Sequence, residues 1–332
     1  MRLHSLLAVL IVAFAGAGVA VAQDPVCSTS EFPVGIINAR GESFRGLAPV
    51  DLSGHTGRKQ VTLKSMTYDD GPRRIVLVVD ASKKLSEDSR KAERTMVESI
   101  LAAARPQDSF ALVTARGTPR VVNFGADHDA ILEAVPQDST SKAPKSGALD
   151  AVMQALGMFG ASKPGDAIIL LAAGLEGNRT TDTKKTAKAL AEHHVRLFGL
   201  ALGPISTRNV TAGGMATSTV STGLALVTPG IGLLVYDTGD EDFNPLTVNS
   251  GGMVVPAMNA DPQRSYKMDP QLANQLKLQA RIVYNMITSF YRVSVEIPHH
   301  SNDEPWQLQI NDDVRKSVPQ MWLLYPRELG PC

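Results

Sequence analysis

The sequence predicts an α/β fold with a doubly wound, mostly parallel sheet, an N-terminal β extension and a C-terminal helix plus a small β layer. Two observations lead there. Ile75 to Val79 is a run of five apolar, mostly β-branched residues that stops at Asp80, the pattern of a strand buried on both faces with a polar turn at its C-terminal end. Several later segments repeat a short apolar run followed by an amphipathic one, the rhythm of strands alternating with helices. Open α/β sheets place ligand sites at the C-terminal ends of their strands. Asp80 and the residues after it are therefore the first place to look for function.

The chain opens with Arg2 and His4, an apolar run from Leu6 to Ala15 and the small-residue end Ala20-Val21-Ala22. The run is too short to span a bilayer, and the small residues suit a signal peptidase. Residues 1–22 are thus expected to be a signal peptide, an uncleaved N-terminal anchor being the competing reading. Asp24-Pro25-Val26 before Cys27 make no lipobox. The expected location is secreted or periplasmic, with no membrane span after cleavage. About 310 residues remain, enough for one large core with appendages.

Composition is that of a globular protein, 43% hydrophobic and 20% charged, with Lys+Arg 33 against Asp+Glu 33. Zero net charge removes any global electrostatic case for nucleic acid or an anionic membrane. The two cysteines, Cys27 and Cys332, lie near the two ends of the chain. In an oxidising compartment they either close a disulfide that ties the termini together or remain two unrelated thiols, since distance in space is not written in the sequence.

Residues 23–72 read as the β extension, with strands at Val34 to Asn38 and Gln60 to Met66 between glycine-rich turns. In residues 73–258 the spacing predicts a helix over Arg90 to Ala104 and strands over Ser109 to Ala115 and Arg120 to Phe124. A short helix capped by Asp127 follows, then a helix from Ser146 to Phe159 with Ser146 as N-cap. Ala167 to Ala172 and Arg196 to Leu202 are strands flanking a helix over Thr183 to His194. The segment 203–229 is rich in Gly, Ser and Thr and is expected to be a mobile loop. Phe243 to Val248 fits a short helix, and Ser250-Gly251-Gly252 a turn into Met253-Val254-Val255. In residues 259–332 the longest amphipathic stretch, Asp269 to Phe290, precedes strands at Tyr291 to Ile297, Trp306 to Ile310 and Met321 to Tyr325.

The order of Ile75 to Ser82, Ser146-Gly147-Ala148-Leu149-Asp150, Ile168 to Gly174 and Ser250-Gly251-Gly252 resembles the von Willebrand factor type A (VWA) domain, in particular the variant found in secreted bacterial proteins. The resemblance implies a Rossmann-like sheet and a metal-ion-dependent adhesion site. That site takes Asp-x-Ser-x-Ser after the first strand, a Thr from a second loop and an Asp from a third. Hydroxyls and carboxylates from three loops surround a hard cation, and a partner's carboxylate completes its shell. Here Asp80 and Ser82 match and Ser146 stands for the Thr, but Lys84 replaces the second Ser and Ala173 the third-loop Asp. An ammonium about 4 Å from a divalent ion would cost several kcal/mol even at an effective dielectric near 20. The site is accordingly expected to be degenerate, with weak or no binding of Mg²⁺ or Mn²⁺ and no other cofactor. Asp80 is then free to cap or to pair with Lys83 or Lys84, and these two lysines become candidates for receiving an acidic side chain of a partner protein.

Enzyme signals are missing. His193-His194 and His299-His300 are adjacent pairs, not the i, i+4 face of a zinc helix. No Gly-x-Ser-x-Gly elbow, P-loop or dinucleotide fingerprint follows a strand. Three functional expectations result. The chain is a non-enzymatic, adhesion-type protein-interaction module with a degenerate ion site, an adhesion module still holding Mg²⁺ through Asp80, Ser82 and Ser146, or a structural subunit of a cell-envelope assembly.

Overall fold

The computed structural model describes residues 26–38, 41–81, 85–115, 119–137, 147–172, 175, 181–202, 243–257, 268–298, 306–317 and 321–327. The expected signal peptide, the loop at 203–229, Ser82, Lys83, Lys84, Ser146, Ala173 and Cys332 lie outside them. So does the side chain of Cys27, whose backbone is described.

Three strands come first: β1 (Val26–Ile37), β2 (Leu52–Thr56) and β3 (Lys59–Asp69). The α/β unit then runs β4 (Arg74–Asp80), α1 (Glu87–Ala102), β5 (Ser109–Ala115), β6 (Val121–Val122), α2 (His128–Ala134), α3 (Ala148–Met158), β7 (Ala167–Ala172), α4 (Thr183–Glu192), β8 (Arg196–Ala201), α5 (Phe243–Asn249) and β9 (Val254–Pro256). It is followed by α6 (Pro270–Thr288), β10 (Phe290–Pro298), β11 (Trp306–Ile310), α7 (Asp312–Ser317) and β12 (Trp322–Leu324). Local chemistry sets many of these bounds. Ser86, Asp127, Asp182 and Asp269 each accept a backbone N–H of the first turn of α1, α2, α4 and α6, relieving donors that a helix start leaves orphaned. Gly147, not Ser146, occupies the N-cap position of α3, and it makes no side-chain bond.

The first sheet has the order β6-β5-β4-β7-β8-β9, with β4, β5, β7, β8 and β9 parallel and β6 an antiparallel edge. Because side chains alternate across a strand, β4 serves two cores. Ile75, Leu77 and Val79 pack with Met96 and Ile100 of α1 and Val283 and Ile287 of α6. Val76 and Val78 pack on the opposite face with Val152 and Leu156 of α3. At the outer strands, the turn after α5 needs its glycines. Gly251 has φ +85°, and a Cβ on Gly252 would sit 1.9 Å from the Leu197 carbonyl oxygen.

The second sheet corrects the expectation of a mostly parallel fold with a small terminal β layer. Its six strands, in the order β11-β2-β3-β10-β1-β12, are all antiparallel. The physical reason is that β10 leaves α6 after a single residue and finds β1 and β3 on its two sides, so strands from both ends of the chain complete one surface. The sheet also curls until its outer strands meet: the Leu308 N–H donates to the Tyr325 hydroxyl at 2.9 Å, and Trp306 Nε1 donates to the Pro326 carbonyl at 2.7 Å. Phe32, Val34, Val61, Val293, Trp306 and Tyr325 are buried together inside it.

Arginines staple the N-terminal end of the first sheet to its surroundings. Arg74 donates to both carboxylate oxygens of buried Asp166 at 3.0 and 2.5 Å, and to the carbonyls of Phe159 and Ala161 just past α3. Its neighbour Arg73 turns to the other face, where it meets Asp69 at 2.9 Å and the Thr288 carbonyl. The last turn of α6 has no basic residue of its own. Arg196 supplies the charge that a helix C-terminus favours, donating to Met286 O and Ile287 O at 3.3 and 2.9 Å. Burial, reinforced by Arg73 and opposed by Asp69, pulls Arg196 down to about 9, so it stays charged at neutral pH.

Candidate functional site

The ends of parallel strands bring separate loops to one edge. Asp80 closes β4, and the register places Val79 beside Leu171, so Ala172, the last residue of β7, lies at the level of Asp80. Gly147 opens α3 at this end too, since the helix packs back along the sheet. The topology thus brings the ends of β4 and β7 and the start of α3 to one rim; the expected site residues are Asp80, Ser82, Ser146 and Ala173. Of these residues Asp80 alone is described.

Asp80 is 1% exposed. Its backbone N–H donates at 2.8 Å to Oε1 of Glu93, a fully buried residue of α1. The other oxygen of Glu93, Oε2, has no hydrogen-bond partner among the described residues. Burial first, and then the charge of Asp80, push the Glu93 carboxyl well above the usual range, while the Asp80 N–H and the Arg90 guanidinium act in the opposite sense. Arg90 lies one turn earlier on α1 and is 3% exposed. Three ionisable side chains therefore share a place from which water is excluded, where an incompletely satisfied charge costs several kcal/mol as an order of magnitude.

Glu93 and Arg90 were not singled out in the sequence. A signal was present for Glu93, which falls three, four and seven residues before Met96, Val97 and Ile100, on the same buried stripe of α1. A glutamate in that position faces the core and requires an explanation.

The histidines take structural places. His193 ends α4 as its C-cap, and His194 adopts φ 51° with its ring 6.5 Å from Phe32 of β1 in an edge contact. Among the described residues there is no group of three His, Cys, Asp or Glu side chains able to hold a metal ion, and no helix long and apolar enough to cross a membrane.

No family model matches the chain, and no curated protein matches it. Solved structures similar to it include an aerotolerance-related membrane protein from Bacteroides fragilis, at TM-score 0.41 and 12% identity over 63% of this chain and 98% of that one. The SpRpn10 VWA domain is similar at TM-score 0.32 and 16% identity, over 40% of this chain and 77% of that one. Proximal thread matrix protein 1 from the mussel byssus, in a structure with a zinc-occupied MIDAS motif, is similar at TM-score 0.40 and 13% identity, over 71% of this chain and 50% of that one.

Proposed function

We propose that the chain is an exported, non-enzymatic protein-interaction module of adhesion type. Its cation site at the end of β4 is degenerate, and Lys84, with Lys83 beside it, receives an acidic side chain of a partner protein. The observation behind this is the setting of Asp80. A divalent cation such as Mg²⁺ needs an octahedron of oxygens, some of them water. Asp80 is instead buried, its neighbour Glu93 is held toward the neutral form, and the buried Arg90 guanidinium lies close enough to act on Glu93. The sequence adds Lys84 and removes the third-loop carboxylate at Ala173. The residues in place fit a divalent ion poorly, and no step of recognition is routed through one. Export rests on the apolar run Leu6 to Ala15 and the small residues that follow.

Capture of a partner from the secreted or periplasmic fraction tests this reading. Retention should be the same in EDTA as in Mg²⁺ and weaker for Lys84→Ser. Retention that vanishes in EDTA and returns with Mg²⁺ would favour the ion-dependent module built on Asp80, Ser82 and Ser146. A second reading, a structural subunit of a cell-envelope assembly, is favoured by the antiparallel sheet that draws strands from both ends of the chain. It gains if deletion of residues 204–229 leaves partner retention unchanged.

A further inference from the structure

After β12 the chain leaves β1 and crosses to the α/β unit. Ser250, in the turn between α5 and β9, forms an antiparallel bridge with Pro326, and the Arg327 N–H donates to the Asn249 carbonyl at 2.9 Å. The second sheet holds Pro326 from its other side, Trp306 Nε1 of β11 donating to its carbonyl at 2.7 Å. Contact with the turn is close: a Cβ on Gly251 would lie 2.7 Å from the Pro326 nitrogen and 2.9 Å from the Tyr325 carbonyl carbon. Tyr325 is itself anchored. Its hydroxyl accepts the Leu308 N–H, its ring stands edge-on to Trp306 with centroids 5.5 Å apart, and it is buried. Residues 322–327 therefore form a strap, fixed to β1 at one end, to β11 in the middle and to the turn before β9 at the other.

The turn that the strap reaches organises the edge of the first sheet. Ser250 Oγ accepts the Leu197 N–H of β8 at 2.8 Å and donates to the Thr247 carbonyl at 2.7 Å, to which the Gly252 N–H returns at 2.9 Å. From there β9 pairs with β8 over three residues, Val254 with Gly199, Val255 with Leu200 and Pro256 with Ala201. The Gly199 N–H donates to the Met253 carbonyl at 2.8 Å and the Ala257 N–H to the Ala201 carbonyl at 2.9 Å. The second of these lies at the rim, where the Leu202 N–H donates to the carbonyl of Ala172, the end of β7. α5 closes over β8, with Phe243 so near Gly199 that a Cβ there would be 2.7 Å from its ring. A helix of seven residues and a strand of three make a small unit, and small edge units open at a lower free energy than the core of a sheet. Each hydrogen bond that the strap adds is then a sizeable part of what keeps the edge closed.

We infer that the strap is a conformational latch: it keeps α5 and β9 closed on β8, so that a disturbance of the second sheet at Trp306 is transmitted to the rim of the first. With Pro326 seated between Trp306 and Gly251, the two sheets are linked. With it unseated, α5, the turn and β9 separate from β8 as one unit and uncover the Gly199 N–H and the Ala201 carbonyl. The latch goes beyond the partner reading and does not depend on what the rim binds.

The test is native-state hydrogen exchange, read by NMR on the full chain in low concentrations of urea. The amides of Gly199, Gly252, Ala257 and Arg327 should share one opening free energy and one urea slope, both below those of the amides of β4 and β7. Exchange of the first three only together with β4 and β7, or an Arg327 amide that opens apart from them, would overturn the inference. Trp306→Phe keeps a ring in the second sheet and removes the donor to Pro326. It should speed exchange at all four amides together, by about tenfold; faster exchange at Arg327 alone, or at none of the four, would contradict the latch. The first comparison needs no substitution, so it decides the matter even if the variant does not fold.

Discussion

Where its strands begin, the first sheet buries Asp166 and Asp108 with every carboxylate oxygen accepting from Arg74 or Arg105, although the Nε of Arg73 and of Arg196 nearby has no partner among the described residues. Where they end, it buries Asp80 and Glu93 with a carboxylate oxygen still unpartnered among the described residues. At the first end Arg74 has four acceptors, and Asp108 receives Arg105 at 2.8 and 2.9 Å, the Arg73 N–H at 2.9 Å and the Tyr284 hydroxyl at 2.5 Å. At the other, Glu93 is pushed up by burial and by Asp80. Charge that is fully satisfied holds a structure together. Charge buried without satisfaction marks a place where the fold tolerates a cost, and such places concentrate at functional sites.

This contrast is broken most severely at the satisfied end. Arg74→Ala leaves Asp166 buried with one backbone donor, the Lys163 N–H, and should cost about 3 kcal/mol, as expected when one partner of a buried pair is removed. Urea unfolding measures it, and a loss under about 1 kcal/mol would show that the pair is not a staple. Tyr284→Phe removes the hydroxyl that donates to Asp108 and accepts the Arg105 N–H. It should cost about 1–2 kcal/mol. Burial and the Asp108 bond push that phenol up to about 12, so its loss should have the same effect from pH 6 to 9.

Acid separates the two ends by sign. Burial raises Asp108 and Asp69, but Arg105 and Tyr284 for the first, and the Gly71 N–H and Arg73 for the second, outweigh it and hold both below their ordinary value of 3.8. Their contribution is present above about pH 4 and is lost as pH falls through the lowered values. Glu93 behaves oppositely. Its raised carboxyl favours the fold fully below about pH 4.5, and that contribution is lost as pH rises through the folded value. Glu93→Gln keeps an oxygen for the Asp80 N–H and removes the charge. It should leave stability unchanged or raise it by about 1 kcal/mol at pH 8, with the gain shrinking toward pH 4. Chemical denaturation at the two pH values reads this directly, and a variant less stable at pH 8 would mean that the Glu93 charge is compensated after all.

Legibility in the sequence followed the range of the interactions involved. β5 and β7 have the expected bounds because a strand buried on both faces is an unbroken apolar run. The cap at Asp127 was readable because capping is local. β2 was missed: Ser53, Gly54 and His55 interrupt its apolar signal, and its strand character comes from pairing with β3 and β11. α7 was missed because Val314 is the lone apolar residue in its six. The joining of β1, β3 and β10 across more than 200 residues of sequence has no local pattern at all. At the candidate site Asp80 was readable from the end of its strand, while Glu93 and Arg90 become meaningful only once α1 is laid against that strand.

The most direct test of the central claim is calorimetric titration of Mg²⁺ and Mn²⁺ into chelator-stripped protein, beside the Lys84→Ser, Ala173→Asp double variant. No heat of binding in the natural sequence, and binding in the variant, is the expected result for a cation site that has lost its ion. Saturable binding to the natural sequence, abolished by Asp80→Asn, would contradict it and transfer the account to an ion-bridged adhesion module.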